Sequence, residues 1–301
     1  MAAPTSTTSP DRTASVTRVD LAIQGIRLAD APVSRRAGAG PSDDGHLLLD
    51  GVGAAIPLNP RSPYTLAGGK LLLDGADTGL GVETISRPRF YDLTTADGVP
   101  YEQIARLHSA RVLATTVVQT CVRYDGVRAV REVLPDLPIQ VQCEPPGDLA
   151  TIQELYDAGA RSIGIHVESL DDDVRRRWMP GKGSVPMSEY RAAWAEAVRV
   201  FGWNEVSTYL LLGLGEDPDE TVAAATELIE MGVYPFVVPF RPLAGTLATD
   251  VDKVPAPDAR MVASVTARVG AALRRAGMLG AAQSAGCAAC GACSALSCEG
   301  A

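Results

Sequence analysis

Histidine is nearly absent from this chain: His46, His108 and His166 are the three in 301 residues. Their scarcity argues against a His-rich metal centre and against a mixed Cys/His zinc site. No uninterrupted apolar run reaches the roughly eighteen residues that a membrane helix requires, so no spanning segment is expected. Residues 1–20 lack the basic and apolar regions of a secretory signal and read as a polar, disordered lead-in. The expected location is cytoplasmic, where disulfides rarely persist. A basic excess is missing too. The formal net charge is −9, which argues against nonspecific nucleic-acid binding and against an anionic membrane surface, since both need cations at the interface.

What the chain does have is a concentration of cysteine at its end. Four of its six cysteines, Cys287, Cys290, Cys293 and Cys298, are spaced C-x2-C-x2-C-x4-C among Gly and Ala. Small residues let a loop fold tightly enough for thiolates to converge on one metal or on the corners of a cluster. An iron-sulfur site is the first reading; an all-cysteine zinc site and redox-active thiols are the alternatives. The other two cysteines, Cys121 and Cys143, sit in or beside apolar strands, where an isolated cysteine serves as a small buried hydrophobe.

A hydrophobic content of 46% over 301 residues supports one large domain with a smaller appendage. From Val112 onward strands and helices alternate. Strands are predicted at Val112–Gln119, Ile139–Glu144, Ser162–Glu168, Val206–Leu212 and Tyr234–Arg241. Helices are predicted after Asp148 and Ser169, through Tyr190, Trp194 and Phe201, after the Asp217–Pro218 start, and over Ala256–Ala276. Such alternation implies a parallel sheet with right-handed crossovers. It places Glu144, Glu168, Glu216 and Arg241 at C-terminal strand ends, the edge where parallel α/β sheets place their chemistry. His166 reads as a hydrogen-bonded core histidine, and Arg175-Arg176-Arg177 as a solvated helix face. Two similar strings, His46–Asp50 and Lys70–Asp74, predict a small β-rich segment upstream.

At GIHVESLDDDVRRRW, STYLLLGLGEDPDE and VVPFRPLAGT the chain resembles the radical S-adenosylmethionine superfamily. The likeness is to its biotin-synthase-like branch, and within that to a bacterial family whose genes accompany a nitrilase. It runs from about Tyr91 to the C-terminus. The resemblance implies an α/β fold: a partial (β/α)6 TIM-type barrel over residues 111–280, here incomplete, with an N-terminal accessory segment at 21–110 and a Cys-rich iron-sulfur tail at 281–301. It implies two cofactors, a [4Fe-4S] cluster and S-adenosyl-L-methionine, and a small-molecule substrate. A reductant such as flavodoxin or ferredoxin would supply the electron. By the same resemblance Glu168 contacts the ribose or methionine part of the ligand, Gly213, Gly215 and Glu216 lie beside the adenosine, and Val238 and Phe240 belong to the strand that reads the adenine.

The chain departs from the family where its cluster is held. The usual C-x3-C-x2-C loop follows the first barrel strand, and Cys121 matches its first cysteine, but no partners complete it. The second strand, with the segment that holds the ligand's amino group, is missing as well. Three readings follow: a family member by descent without radical generation, one whose activity has moved to the tail cysteines, and a non-catalytic iron-sulfur or zinc protein. A shortened barrel also leaves a strand edge unpaired, which costs backbone hydrogen bonds and invites association.

Overall fold

Alternating apolar residues separated by Gly- and Pro-containing turns build the first layer of the molecule. The computed structural model describes residues 10–29, 44–49, 52–84, 94, 98, 118–121, 124–242, 246–291 and 293–300. Helix α1 (Pro10–Gln24) leads into β1 (Arg27–Leu28), β2 (Asp44–Leu49), β3 (Val52–Pro57), β4 (Tyr64–Ala67), β5 (Lys70–Leu73) and β6 (Ala76–Thr84). These form a six-stranded sheet in the order β1-β4-β5-β6-β2-β3. The two predicted strings fall on β2 and β5. Leu21, Ile26, Leu47, Ile56, Tyr64 and Leu71 fill the core of this unit.

The lead-in read as disordered through Asp20 is helical from Pro10. The reason is tertiary: Val19 is buried in the main core and Leu21 in that of the small sheet. Burial on two sides supplies what intrinsic propensity does not.

The larger unit runs β7 (Val118–Cys121), α2 (Tyr124–Val133), β8 (Ile139–Cys143), α3 (Ala150–Asp157), β9 (Ser162–Ile165), α4 (Asp172–Trp178), α5 (Pro180–Gly183), α6 (Met187–Phe201), β10 (Val206–Leu212), α7 (Pro218–Glu230), β11 (Val233–Pro239), α8 (Leu247–Asp250), α9 (Ala259–Arg275) and α10 (Cys287–Cys290). Its five strands are parallel, in the order β11-β10-β9-β8-β7. Each lies beside its predecessor and the order never reverses. This is the winding of a barrel wall; a doubly wound sheet reverses at a switch point. The predicted strand Val112–Gln119 is seen from Val118, and residues 112–117 lie outside the described ones.

Local signals explain most boundaries. Asp217 accepts hydrogen bonds from the Asp219 and Glu220 amides, with Pro218 at the first helical position of α7. Two predicted caps are displaced. Asp171, not Ser169, caps α4, through the amides of Asp173 and Val174, while the Ser169 hydroxyl accepts from the Asp171 amide. Asp148 accepts from the Ala150 amide one residue ahead of the cap position of α3.

The basic run is also not uniformly solvated. Arg175 is 2% exposed, paired to Asp172 at 2.5 Å, with its guanidinium 5.5 Å from the Tyr190 ring. In the helix-covered layer, Trp194 is fully buried and donates from Nε1 to the Ile165 carbonyl at 3.0 Å. Trp194→Ala should cost about 3–5 kcal/mol through the cavity and the orphaned carbonyl. Urea unfolding should show this as a lower midpoint at unchanged slope; a midpoint shift below about a fifth of that cost would contradict the assignment.

Candidate functional site

Lysine and carboxylates meet at the C-terminal edge of the parallel sheet. Glu144 follows β8 and Glu168 follows β9, while Lys182 arrives from α5, between Gly181 and Gly183. A Cβ on Gly183 would stand 2.7 Å from the Arg176 backbone, so glycine lets α5 fold tightly against α4 and turns Lys182 toward the sheet. The Lys182 ammonium lies 2.7 Å from Glu144 Oε1 and 3.8 Å from Glu168 Oε1, and it also donates to the His166 carbonyl. Tyr190 Oη, from α6, donates to Glu144 Oε2 at 3.0 Å. One carboxylate is thus held by two donors from different helices.

Glu168 carries the most distorted environment of the group. Its φ is 66°, unusual for a residue with a side chain. Its amide donates to the Tyr209 carbonyl at 3.0 Å and its own carbonyl accepts from Leu211 at 2.7 Å, so β10 holds the distortion in place. Burial pushes its carboxyl up to about 7; Lys182 opposes the rise and Glu144 adds to it. His166 lies beside it, with Nδ1 accepting from the Tyr209 amide at 3.2 Å. Burial, then the Lys182 charge, lowers this imidazole to about 3, so it is neutral at pH 7. Its ring occupies the space above Gly164, where a Cβ would come within 2.7 Å of Nε2. Burial and the Glu144 charge raise the Tyr190 hydroxyl.

The residues expected beside the nucleoside make contacts within the chain. Glu216 turns back on its own loop, accepting from the Gly213 amide at 2.5 Å and the Leu214 amide at 2.9 Å. Gly213 and Gly215 adopt φ of 106° and 112°, and a Cβ on Gly213 would meet the Pro257 ring at 2.5 Å. Val238 and Phe240 are buried. Phe240 packs with Val174, Leu214 and Ala248, and Trp178 joins that cluster while donating to the Leu214 carbonyl at 2.9 Å. The chain's own apolar side chains therefore roof the β10 and β11 strand ends.

The cysteine tail lies elsewhere. Ser284 binds the Glu205 carboxylate, and the Ala285 amide donates to Ser162 Oγ at the start of β9. Gly286 then sits over Gln140, and the Gln142 amide nitrogen is 3.9 Å from Cys287 Sγ. Gln140 and Gln142 share the face of β8 opposite Ile139 and Val141, by strand alternation. Ser294 Oγ donates to the Val237 carbonyl at 2.5 Å, on the outer edge of β11, and Arg18 of α1 donates to the Gly291 carbonyl at 2.7 Å. The tail and α1 cover the β11 edge.

This placement bears on the predicted metal ligands. Cys287 lies by Gln142 of β8, on a helix that also contacts β11, and Cys293 lies near Val237 and Pro239 of β11. Among the described residues no three His, Cys, Asp or Glu side chains group as a metal site. The Cys143 thiol, half-buried, is pushed up to about 12 by burial and then the Glu144 charge. Cys121 stands in register with Gln142; its side chain and that of Cys298 lie outside the described residues.

Lys182 and Tyr190 are the partners that pattern reading missed. Tyr190 has helical core spacing, which hides its hydroxyl. Lys182 stands between two glycines after Pro180, which marks a turn but not its partner.

No family model matches the chain. The chain is 28% identical to bacteriochlorophyllide c C-7(1)-hydroxylase of Chlorobaculum limnaeum over 143 residues, 46% of this chain and 34% of that protein. The match thus spans about a third of the relative's length. Among solved structures, coproporphyrinogen III oxidase of Escherichia coli, described as a radical SAM enzyme, aligns at 16% identity and TM-score 0.38, covering 52% of this chain and 38% of that one. Methylornithine synthase aligns at 22% identity and TM-score 0.39, covering 50% and 41%. The [FeFe]-hydrogenase maturase HydG aligns at 14% identity and TM-score 0.41, covering 88% and 54%. None of these overlaps extends to a whole fold. The chain is a sequentially wound parallel α/β protein with a polar strand-end site. Its resemblance is to the radical S-adenosylmethionine superfamily.

Proposed function

We propose that this chain is a partial (β/α) barrel of radical S-adenosylmethionine descent that binds a small molecule at the C-terminal edge of its parallel sheet and does not itself generate a radical. The observation that carries the reading is the convergence of Glu144, Glu168 and Lys182 on one strand-end site. It supports binding because a distorted, half-protonated acid beside a fixed ammonium is poorly explained by stability alone. Glu168 is the position that the resemblance assigns to the methionine or ribose part of S-adenosyl-L-methionine. The loss of radical generation is supported by the absent C-x3-C-x2-C loop. When bound in intact relatives, a [4Fe-4S] cluster supplies the electron that cleaves the sulfonium. Under this reading the chain has no need of a flavodoxin or ferredoxin.

Anaerobic expression and reconstitution, with iron, sulfide and zinc counted per chain, tests the proposal. Electron paramagnetic resonance of the reduced protein should show no cluster signal that changes when S-adenosylmethionine is added. A signal that shifts on addition would mean an open-iron cluster, and would return radical chemistry to the tail cysteines.

A further inference from the structure

We infer that Thr246–Val254 is a lid over the ends of β10 and β11, which swings as one body to uncover them. The inference goes beyond the ligand site proposed above and holds whatever ligand the strand ends take. The way the segment is gripped carries it. Within Thr246–Val254 only Ala248 is buried, and Ala248 and Val254 are what the segment adds to the cluster of Val174, Leu214 and Phe240. Its other apolar side chains face outward: Leu247 is 49% exposed and Val251 67%. Burial therefore holds the segment by two small side chains and gains little from its outer face.

The polar contacts divide in the same way. The amides of Asp250, Val251 and Val254 donate to the carbonyls of Thr246, Leu247 and Ala248 at 2.9, 3.1 and 2.8 Å. All three bonds close within the segment, so motion as one body leaves them intact. The ion pair from the segment to α4, Asp252 to Arg177 at 2.5 Å, joins side chains 37% and 64% exposed. A pair so exposed holds weakly and is screened by salt. Past the segment the chain is anchored again at Pro257, which is buried and packs so closely on Gly213 that a Cβ there would stand 2.5 Å from its ring. Intact internal bonds, a weak grip and a fixed end are the physical requirements of an element that opens without unfolding.

Thiol labelling of the full chain tests this. Ala248→Cys and Val254→Cys, the second without added volume, each place a thiol beneath the lid. Val251→Cys places one on its outer face as the reactive reference, and Val269→Cys, fully buried in α9, reports global unfolding. Iodoacetamide labelling read peptide by peptide by mass spectrometry separates these thiols from the native ones. Both thiols beneath the lid should react more slowly than Val251→Cys but at least about a hundredfold faster than Val269→Cys. Asp252→Ala should speed them roughly two- to fivefold, as should about 1 M sodium chloride in the native background, and Asp252→Ala should leave Val269→Cys unchanged. Amide exchange at Val251 and Val254 should not respond to Asp252→Ala. Labelling beneath the lid that is no faster than that of Val269→Cys, or that ignores Asp252→Ala, overturns the inference. Amide exchange that rises in step with labelling also overturns it, because α8 would then be unravelling and not swinging. S-adenosylmethionine, added last, tests the site apart from the lid: if the labelling pattern holds and the ligand leaves it unchanged, the lid stands and the strand-end ligand reading fails.

Discussion

Acidification from pH 6.5 to about pH 3 should remove on the order of 4 kcal/mol of folding stability through His166 alone. The sign follows from the direction of the shift. The imidazole titrates at 6.5 when unfolded but at about 3 when folded, so the unfolded chain takes up a proton that the folded chain refuses. The contribution is fully present above pH 6.5 and is lost progressively as pH falls. His166→Asn, which can keep an acceptor for the Tyr209 amide, should abolish this component. Glu168 acts in the opposite sense. Its carboxyl is raised from 4.5 to about 7 by burial, so the folded state becomes less stable as pH rises through that window. Glu168→Gln should therefore be more stable than wild type at pH 8, by on the order of 3 kcal/mol, and equal to it below pH 4.5. Between pH 4.5 and 6.5 the two slopes oppose each other. Urea midpoints from pH 3 to 8 for wild type and both variants would separate them; parallel profiles in all three would contradict both assignments.

The second large effect concerns the tail. Gly286→Ala should release it from the sheet and destabilise the protein by roughly 2–4 kcal/mol. An ideal Cβ at Gly286 would stand 2.1 Å from Gln140 Nε2, and the backbone φ is 106°. Gln140 is fully buried and donates to Ser207 Oγ at 3.4 Å, so it has no open space into which to withdraw. The half-buried Cys287, Cys290 and Cys293 should then alkylate faster, read by mass spectrometry after iodoacetamide. Adding Gln140→Ala should recover part of the stability, because it removes the overlap but not the backbone conformation. Unchanged alkylation rates and an unchanged urea midpoint in Gly286→Ala would mean that the tail is not docked as described.

The site was only half legible before folding. Glu144 and Glu168 could be placed because a strand end is a local property: the apolar run stops and a carboxylate follows. Lys182 could not, since nothing within a few residues of it shows that α5 folds back to a carboxylate 38 positions earlier. Arg175 illustrates the same limit. Three successive arginines look equivalent in sequence, yet one points inward beneath Tyr190 while Arg176 and Arg177 remain exposed. The docking of the cysteine tail was illegible for a different reason. Spacing shows that thiols could converge, not that Ser284, Ala285 and Ser294 bind other parts of the sheet.

By itself the sequence determined the alternating parallel α/β order, the Asp217 start of α7, and the identity of the acids at the strand ends. Those depend on periodicity, caps and turns, which act over a few residues. Only the tertiary structure decided which of those acids share a lysine, which stretch packs over the β10 and β11 strand ends, and where the cysteines go. Such contacts join distant segments, and strand register and helix crossovers set them after local structure has formed.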